Sequence, residues 1–185
     1  YGVGVMNISI KGHVKGYRIF KSVIRSKKQM TYNCVNEILE NNTVPEGYEP
    51  YVEHLHLMDE LSNILRRKMV NHGYLEFNRP EPKILVDENC HPYKIELRSQ
   101  RTGEKIIENF MIVANETVSG YIEDMKLPGI YRVHDKPNKE KLQIFIKFLN
   151  HKGYNIKADI NKFKATDYQR LLKLFVGKPE EIMLN

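Results

Sequence analysis

The stretch Glu104–Met125, EKIIENFMIVANETVSGYIEDM, is the strongest helical segment of the 185-residue sequence. Its apolar residues recur at spacings of three and four, the pattern of an amphipathic helix with one broad buried face. Pro128 and Gly129 mark its end. We predict an inner face made of Ile107, Phe110, Met111, Ala114, Thr117, Val118, Tyr121, Ile122 and Met125.

Strand-like segments lie on both sides of this helix. The turn KGHVKG is expected to join strands at 3–10 and 14–25 into a hairpin. The turn ENCHP joins two further strands at 83–87 and 93–98. The motif IYRVH, residues 130–134, is predicted to be one more short strand.

Further helices alternate with these strands. One is predicted to begin after the capping residue Thr31, one to span 51–71, one to begin after Asn138, and one to span 167–176. The predicted fold class is therefore α+β, with mixed hairpins or sheet and several amphipathic helices. We expect one domain over residues 1–185.

The composition is that of an ordinary soluble protein. Hydrophobic residues make up 41% and charged residues 28% of the chain. The sequence contains no apolar run near the roughly 20 residues that a membrane span needs, and no signal-peptide pattern. Cys34 and Cys90 lie far apart and form no CxxC pair, so we interpret them as reduced thiols of a cytoplasmic protein.

The net charge of +6 favours a polyanionic partner. Two basic clusters, at 25–28 and 66–68, are each followed by aromatic residues, namely Tyr32 for the first and Tyr74 and Phe77 for the second. Cations that follow phosphates and rings that stack on bases make up a single-stranded nucleic-acid groove. The alternative is a solvated helix face beside core aromatics, and the residues alone do not decide between the two.

Motifs for several kinds of active site are missing. The sequence has no GxxxxGK[ST] or GxGxxG phosphate loop, no HExxH and no serine nucleophile elbow. The histidines of EHLHLMDE do not share one face with acids in a zinc arrangement, and no cluster of aspartates suits magnesium. We therefore predict no catalytic residue and no metal ligand in this chain.

Several strings nevertheless resemble a known family. The stretches KSVIRSKKQMTYNCVNEIL, IIENFMIVANETV and PGIYRVHDKP are similar to the middle of the catalytic RNB domain of the bacterial ribonuclease R group, in the ribonuclease II family of exoribonucleases. The resemblance covers residues 5–150, and 151–185 fit more loosely. It implies that the fold is an incomplete piece of the RNB domain.

The resemblance also implies an activity. The family hydrolyses RNA processively from 3′ to 5′ with magnesium, releases nucleoside 5′-monophosphates, and threads single-stranded RNA through a basic channel. Its magnesium-binding aspartates lie outside this chain, so the chain alone is expected to be inactive. The alternatives are a non-catalytic single-stranded RNA-binding module and an interaction scaffold. Because both ends look cut, we also expect self-association through exposed edges.

Three residues are implied to contact RNA most directly. Phe77 matches the aromatic clamp that stacks on the innermost bases, with a core position as the alternative. Tyr32 matches a tyrosine near the scissile end, although it could also fix the start of its helix. Glu108 matches a glutamate that contacts RNA near its 3′ end, or it is simply solvated. The family often has a second acid where this chain has Asn109, which leaves that acid's role in doubt.

Four more residues are weaker RNA-binding candidates. Asn115 would lie two turns beyond Glu108 on the same helix face. Arg67 and Lys68 are candidates for phosphate contacts. Arg132 shares a strand face with His134, where bracing of the channel wall is the alternative.

Overall fold

The computed structural model describes residues 2–75, 81–133, 135, 137–157, 159–175 and 178. The elements follow in this order: β1 (Gly2–Ile8), β2 (Val14–Lys21), α1 (Tyr32–Asn41), α2 (Val52–Asn71), β3 (Glu81–Val86), β4 (Pro92–Arg98), α3 (Thr102–Asp124), α4 (Lys139–His151) and α5 (Ala165–Lys173). Single turns of 3₁₀-helix occur at Glu49–Tyr51 and Ile160–Lys162. Helices and strands together confirm the α+β class.

The chain divides into two compact units. The first contains Tyr1–Met69 and Asn78–Leu127, and the second contains Val70–Phe77 and Pro128–Asn185. A single domain over the whole chain stays a prediction. None of the described helices combines the length and the apolar character that crossing a membrane would need.

In the first unit, an apolar cluster joins α1 to the start of α2. Thr31 caps α1 as predicted, with its hydroxyl accepting a hydrogen bond from the Cys34 N–H at 3.4 Å. Val35 and Ile38 face inward and pack in one apolar cluster with two more buried residues, Tyr48 and Leu55. This cluster fixes the orientation of α1.

The buried face of α3 differs from the predicted one. Ile107, Met111, Val118 and Met125 were expected inside but are 39–58% exposed. The buried positions are instead Gly103, Ile106, Asn109 and Val113. The prediction was wrong because two of these positions are glycine and asparagine, which a hydrophobic pattern does not count. Both make hydrogen bonds to neighbouring helices.

Both hairpins form where the sequence predicted them, and each is a two-stranded antiparallel sheet. In the first, Met6 pairs with Tyr17, and the Tyr17 ring meets that of Tyr121 on α3 edge-on at 6.3 Å between centroids. In the second, Ile84 pairs with Ile95, and both side chains are more than half exposed. The first hairpin therefore packs on α3, whereas one face of the second is open.

The second unit encloses its own small core. Leu149 on α4 packs with Leu171 on α5 and with Phe175, and all three are buried. Asn138 caps α4 as predicted by accepting the N–H groups of Glu140 and Lys141.

The remaining elements of this unit differ partly from the prediction. The helix α5 begins at Ala165, earlier than predicted, and Asp167 accepts the Lys164 N–H at 2.9 Å. The strand predicted around Tyr131 is absent, because Ile130–Val133 are exposed and pair with no described strand.

Candidate nucleic-acid interface

Tyr32 is the first residue of α1, and its side chain is 42% exposed. The start of the helix is held by other groups. The Thr31 side chain supplies the cap, and the buried Tyr48 hydroxyl accepts the Thr31 N–H at 3.2 Å. The start of α1 is therefore held without the Tyr32 phenol, and part of that ring faces solvent.

A cavity of about 240 Å³ opens beside Tyr32. Its walls come from the segment before α1, from α1 itself, from α2 and from the first turns of α3: Met30, Thr31, Tyr32, Val35, Leu55, Met58, Gly103, Ile106 and Ile107. The lining is mostly apolar, with the phenol and the Thr31 hydroxyl as polar groups. Glu108 directly follows the lining residue Ile107.

The N-terminus of α3 is joined to α1 by side chains of α1. The Glu40 carboxylate accepts hydrogen bonds from the Thr102 N–H at 3.0 Å and the Thr102 hydroxyl at 2.8 Å, and from the Nε and Nη2 of Arg101 at 3.0 and 2.8 Å. One turn earlier on α1, the Asn36 Oδ1 accepts the Gly103 N–H at 2.7 Å. Asn36 is completely buried.

We call the contacts of Glu40 and Asn36 with residues 101–103 the α1–α3 joint, and they determine the charge state of Glu40. The hydrogen bond from the Thr102 backbone, followed by those from the Arg101 and Thr102 side chains, lowers the pKa of Glu40 to about 2. Glu40 is therefore ionised at neutral pH. A carboxylate at a helix N-terminus also interacts favourably with the helix dipole.

Cys34 lies in the first turn of α1. Hydrogen bonds with the side chains of Thr31 and Tyr48, together with the charge of Lys28, lower the pKa of its thiol. The Lys28 ammonium lies 4.8 Å from the centroid of the Tyr48 ring. Cys34 and Cys90 are both free thiols.

Glu108 and Asn115 both lie on the continuous helix α3, as predicted. Seven residues correspond to about 10 Å along a helix and to nearly the same direction around it, so the two side chains share a face. Glu108 is half-buried and Asn115 is exposed. Asn115 is not part of the cavity lining beside Tyr32.

Asn109, which stands where the family often has a second acid, is buried in this chain. Its side chain points away from this face and is 4% exposed. Its Nδ2 donates to the Ser62 Oγ on α2 at 2.7 Å. The position therefore joins two helices inside the chain.

Arg67 and Lys68 differ in their surroundings. Arg67 is exposed on α2, whereas Lys68 is half-buried. The turn between β1 and β2 lies over Lys68, since a Cβ at Gly12 would be 3.2 Å from the Lys68 Cβ and 3.4 Å from its Cδ. The Lys68 stem thus supports the hairpin, and its role is not limited to charge.

The other candidates cannot be joined to this group. Phe77 and His134 lie outside the described residues. Arg132 is exposed in a segment without strand structure, so the shared strand face predicted for it and His134 is not found. Arg132 belongs to the second unit, whereas Tyr32 and Glu108 belong to the first.

Sequence reasoning missed Asn36, Glu40 and Ser62, whose side chains form hydrogen bonds with α3. Polar residues on a helix flank usually face solvent, so nothing in their sequence context marks them as partners of α3. The only local signal was Gly103 after Thr102, a pair that suits a helix start that another helix approaches closely.

Within the part of the chain that the structure describes, no three His, Cys, Asp or Glu side chains come together as a metal site would require.

The chain belongs to the RNB domain family, whose model matches residues 3–180. Within that family it is similar to ribonuclease R, as the sequence motifs predicted. It is 35% identical to ribonuclease R 1 of Lactococcus lactis over 98% of this chain and 22% of the relative. It is 36% identical to ribonuclease R of Aquifex aeolicus over 92% of this chain and 24% of that protein. The chain thus spans about a quarter of the length of the curated relatives it matches.

Solved structures confirm the fold. The apo form of Mycoplasma genitalium RNase R matches all of this chain and 30% of its own with a TM-score of 0.88 and 27% identity. The same protein in complex with ribose-methylated single-stranded RNA matches with a TM-score of 0.87 and 26% identity, over 100% of this chain and 30% of that one.

Proposed function

We propose that this chain is part of a processive 3′–5′ exoribonuclease that hydrolyses RNA to nucleoside 5′-monophosphates. The observation that carries the proposal is the match to the RNB domain family over residues 3–180. One similar protein, Mycoplasma genitalium RNase R, has been solved with ribose-methylated single-stranded RNA and with double-stranded RNA. The substrate proposed here is single-stranded RNA in the cytoplasm.

The contribution of this chain is to bind and orient RNA. The exposed ring of Tyr32 stands beside an apolar cavity and supplies a surface on which a base can stack. Glu108 supplies an acceptor for a ribose hydroxyl, which DNA lacks. Arg67 contributes charge for the phosphates, and Phe77 is proposed as the base clamp. Asn115, Lys68 and Arg132 are further contact candidates.

Magnesium is the proposed cofactor of the full activity, and its ligands are proposed to lie outside these residues. When bound, the metal would supply charge stabilisation and an activated water for phosphodiester hydrolysis. The part of the chain proposed here holds the RNA and does not itself cleave it.

A non-catalytic single-stranded RNA-binding module is the second candidate, since the residues proposed to bind RNA would serve it equally. The two candidate functions differ in whether the rest of the parent protein supplies a metal site, and not in the role of this chain. Both require that the chain binds single-stranded RNA.

The test is a titration of a fluorescent single-stranded RNA with magnesium present, with both binding and product measured. Phe77→Ala is expected to weaken binding by about 1–3 kcal/mol, as loss of one base stack would. Phe148→Ala, an exposed ring on α4, is the matched control and should leave the affinity unchanged. Release of mononucleotides would contradict the proposed location of the metal ligands. Equal affinity for all three proteins would remove Phe77 from the interface.

We also propose that the chain self-associates. The face of β3 and β4 that carries Ile84, Tyr93, Ile95 and Leu97 is 59–72% exposed at these positions. Exposed apolar strands of this kind readily pair with another chain.

A further inference from the structure

The helix α3 has no cap from its own flanking residue. Its N-cap residue, Arg101, makes no capping side-chain hydrogen bond to the helix. The first N–H groups are satisfied from α1 instead, since Glu40 accepts the Thr102 N–H and Asn36 accepts the Gly103 N–H. The beginning of α3 is thus fixed by a different helix.

The capping residues lie on one line of α1 together with Tyr32. Tyr32, Asn36 and Glu40 are spaced by four residues and therefore project from the same face of the helix. The geometry at Gly103 confirms the alignment. A Cβ there would lie 3.1 Å from the Asn36 Oδ1 and 3.5 Å from the Cδ1 of Tyr32.

The Asn36 amide allows little freedom in how α1 and α3 pack. The side chain is 0% exposed, and its Nδ2 also donates to the Glu104 Oε2 at 3.1 Å. If the helices shifted without admitting water, the buried Asn36 amide would lose its hydrogen bonds to Gly103 and Glu104. A buried polar group without a partner is costly. The joint therefore favours one arrangement of the two helices, and Tyr32 is carried by one of them.

We propose that Asn36 and Glu40 are positioning residues for RNA binding: by capping α3 from α1, they hold the Tyr32 ring against the first turns of α3, at the mouth of the adjoining cavity. They touch no RNA themselves. The proposal rests on the proposed RNA contact of Tyr32. It assigns the orientation of that ring to hydrogen bonds made by α1 side chains one and two turns further along the helix.

The first test compares affinities for a fluorescein-labelled single-stranded RNA of about 12 nucleotides, a length within the range of such sites. Glu40→Gln keeps the size of the side chain but presents an amide to Arg101 in place of the carboxylate. It is expected to weaken binding about threefold or more. In a Tyr32→Ala background the same change should have no further effect, because the residue through which it acts is gone.

Glu37→Gln is the matched control. It removes the same charge from the same helix, three residues before Glu40. The Glu37 carboxylate lies 3.8 Å from the Arg101 guanidinium and accepts no backbone N–H of α3. Its RNA affinity should equal that of the parent. A Glu40→Gln effect of the same size with and without Tyr32 would overturn the proposal, because the joint would then act on the whole fold.

The second test reads the position of the ring without RNA. The chain contains no tryptophan, so Tyr32→Trp creates a single indole, whose fluorescence can be excited separately from that of the tyrosines. Adding Glu40→Gln, or the milder Thr102→Ala, should lower the anisotropy of the indole and shift its emission, whereas adding Glu37→Gln should not. An indole that is equally immobile in all variants would overturn the proposal.

The two tests separate this inference from the proposed function. If Tyr32→Ala leaves RNA affinity unchanged, the proposed RNA contact of Tyr32 fails, and positioning for RNA fails with it. If Tyr32→Ala weakens binding but Glu40→Gln does not, only the positioning role fails. If Glu40→Gln unfolds the chain, Thr102→Ala decides, because it removes one hydrogen bond and leaves the backbone cap.

Discussion

The Asn109 side chain on α3 donates a hydrogen bond of 2.7 Å to the Ser62 hydroxyl on α2, and both residues are buried. The same amide lies 3.4 Å from the Ser62 carbonyl oxygen. A buried polar pair thus connects α2 and α3. Asn109 therefore belongs to the buried side of α3, whereas its neighbour Glu108 is only half-buried.

Asn109→Ala should destabilise the chain by about 1–3 kcal/mol, because the Ser62 hydroxyl would lose its partner while staying buried. Thermal or urea unfolding measures this loss. Asn115→Ala, on the exposed side of the same helix, is the control and should stay within about 0.5 kcal/mol of the parent. Equal losses for the two variants would mean that the Ser62 contact has no special weight.

Glu40 should make the stability depend on acid. Its pKa is about 2 in the folded chain, against an ordinary value of 4.5. The stabilisation is therefore fully present above about pH 4.5 and is lost as the pH falls through about 2. Since the side chain is still 31% exposed, we expect about 1–2 kcal/mol at pH 6, less than the full shift would give.

The measurement is the difference in unfolding free energy between the parent and Glu40→Gln at several pH values. That difference should be largest near pH 6 and should shrink towards pH 2.5, because glutamine does not titrate. A difference that stays constant over this range would show that the carboxylate charge is unimportant.

Gly73 and Gly153 provide a matched pair for backbone and packing effects. Both have left-handed backbones, with φ of +94° and +91°. A Cβ at Gly73 would stand 2.6 Å from the Ala165 Cβ, whereas a Cβ at Gly153 meets nothing within 4 Å. Gly153→Ala should cost about 1 kcal/mol of stability from backbone strain alone. Gly73→Ala should cost about 3 kcal/mol, because the collision adds to that strain. Similar melting temperatures would contradict this difference.

Arg67→Gln should change the salt dependence of RNA binding. Each phosphate contact to single-stranded RNA contributes about 0.7 to the slope of log affinity against log salt, so loss of one contact should lower the slope by that amount. Arg170→Gln on α5, where the side chain is 82% exposed, is the control and should leave the slope unchanged. An unchanged slope for Arg67→Gln would assign this arginine to the solvated surface.

Ile95→Lys should weaken self-association. A lysine on an exposed strand face opposes pairing with another chain. Light scattering across micromolar concentrations measures the mass of each protein. Ile144→Lys on α4 is matched in exposure, at 68% against 69%, and should associate like the parent. A monomeric parent over the whole range would disprove the association itself.

Local signals in the sequence predicted most of the elements. The caps Thr31 and Asn138 act on N–H groups within three residues, so a single chain segment carries the whole signal. The same holds for the two hairpin turns, whose strands pair with their sequence neighbours. The strand predicted around Tyr131 failed for the complementary reason, since a strand needs a partner that local sequence does not supply.

Packing between distant segments could not be predicted from local pattern. The buried side of α3 is centred on Gly103 and Asn109, and their partners Asn36 and Ser62 lie 67 and 47 residues away in sequence. The spacing of basic and aromatic residues singled out Tyr32 and Phe77, but their specific roles and the candidates Glu108, Asn115 and Arg132 came from the family resemblance. The residues proposed to position Tyr32 became visible only in three dimensions.

The hydrogen bond between Asn36 and Gly103 closes a separation of 67 residues. Each hairpin, by contrast, closes within a few residues of its turn, which costs far less chain entropy. During folding, the hairpins and single helices should therefore form early, and the α1–α3 joint should form late. Substitution of Glu40 is then expected to accelerate unfolding while leaving the folding rate nearly unchanged. The order of these events would make the surface around Tyr32 among the last parts of the chain to become native.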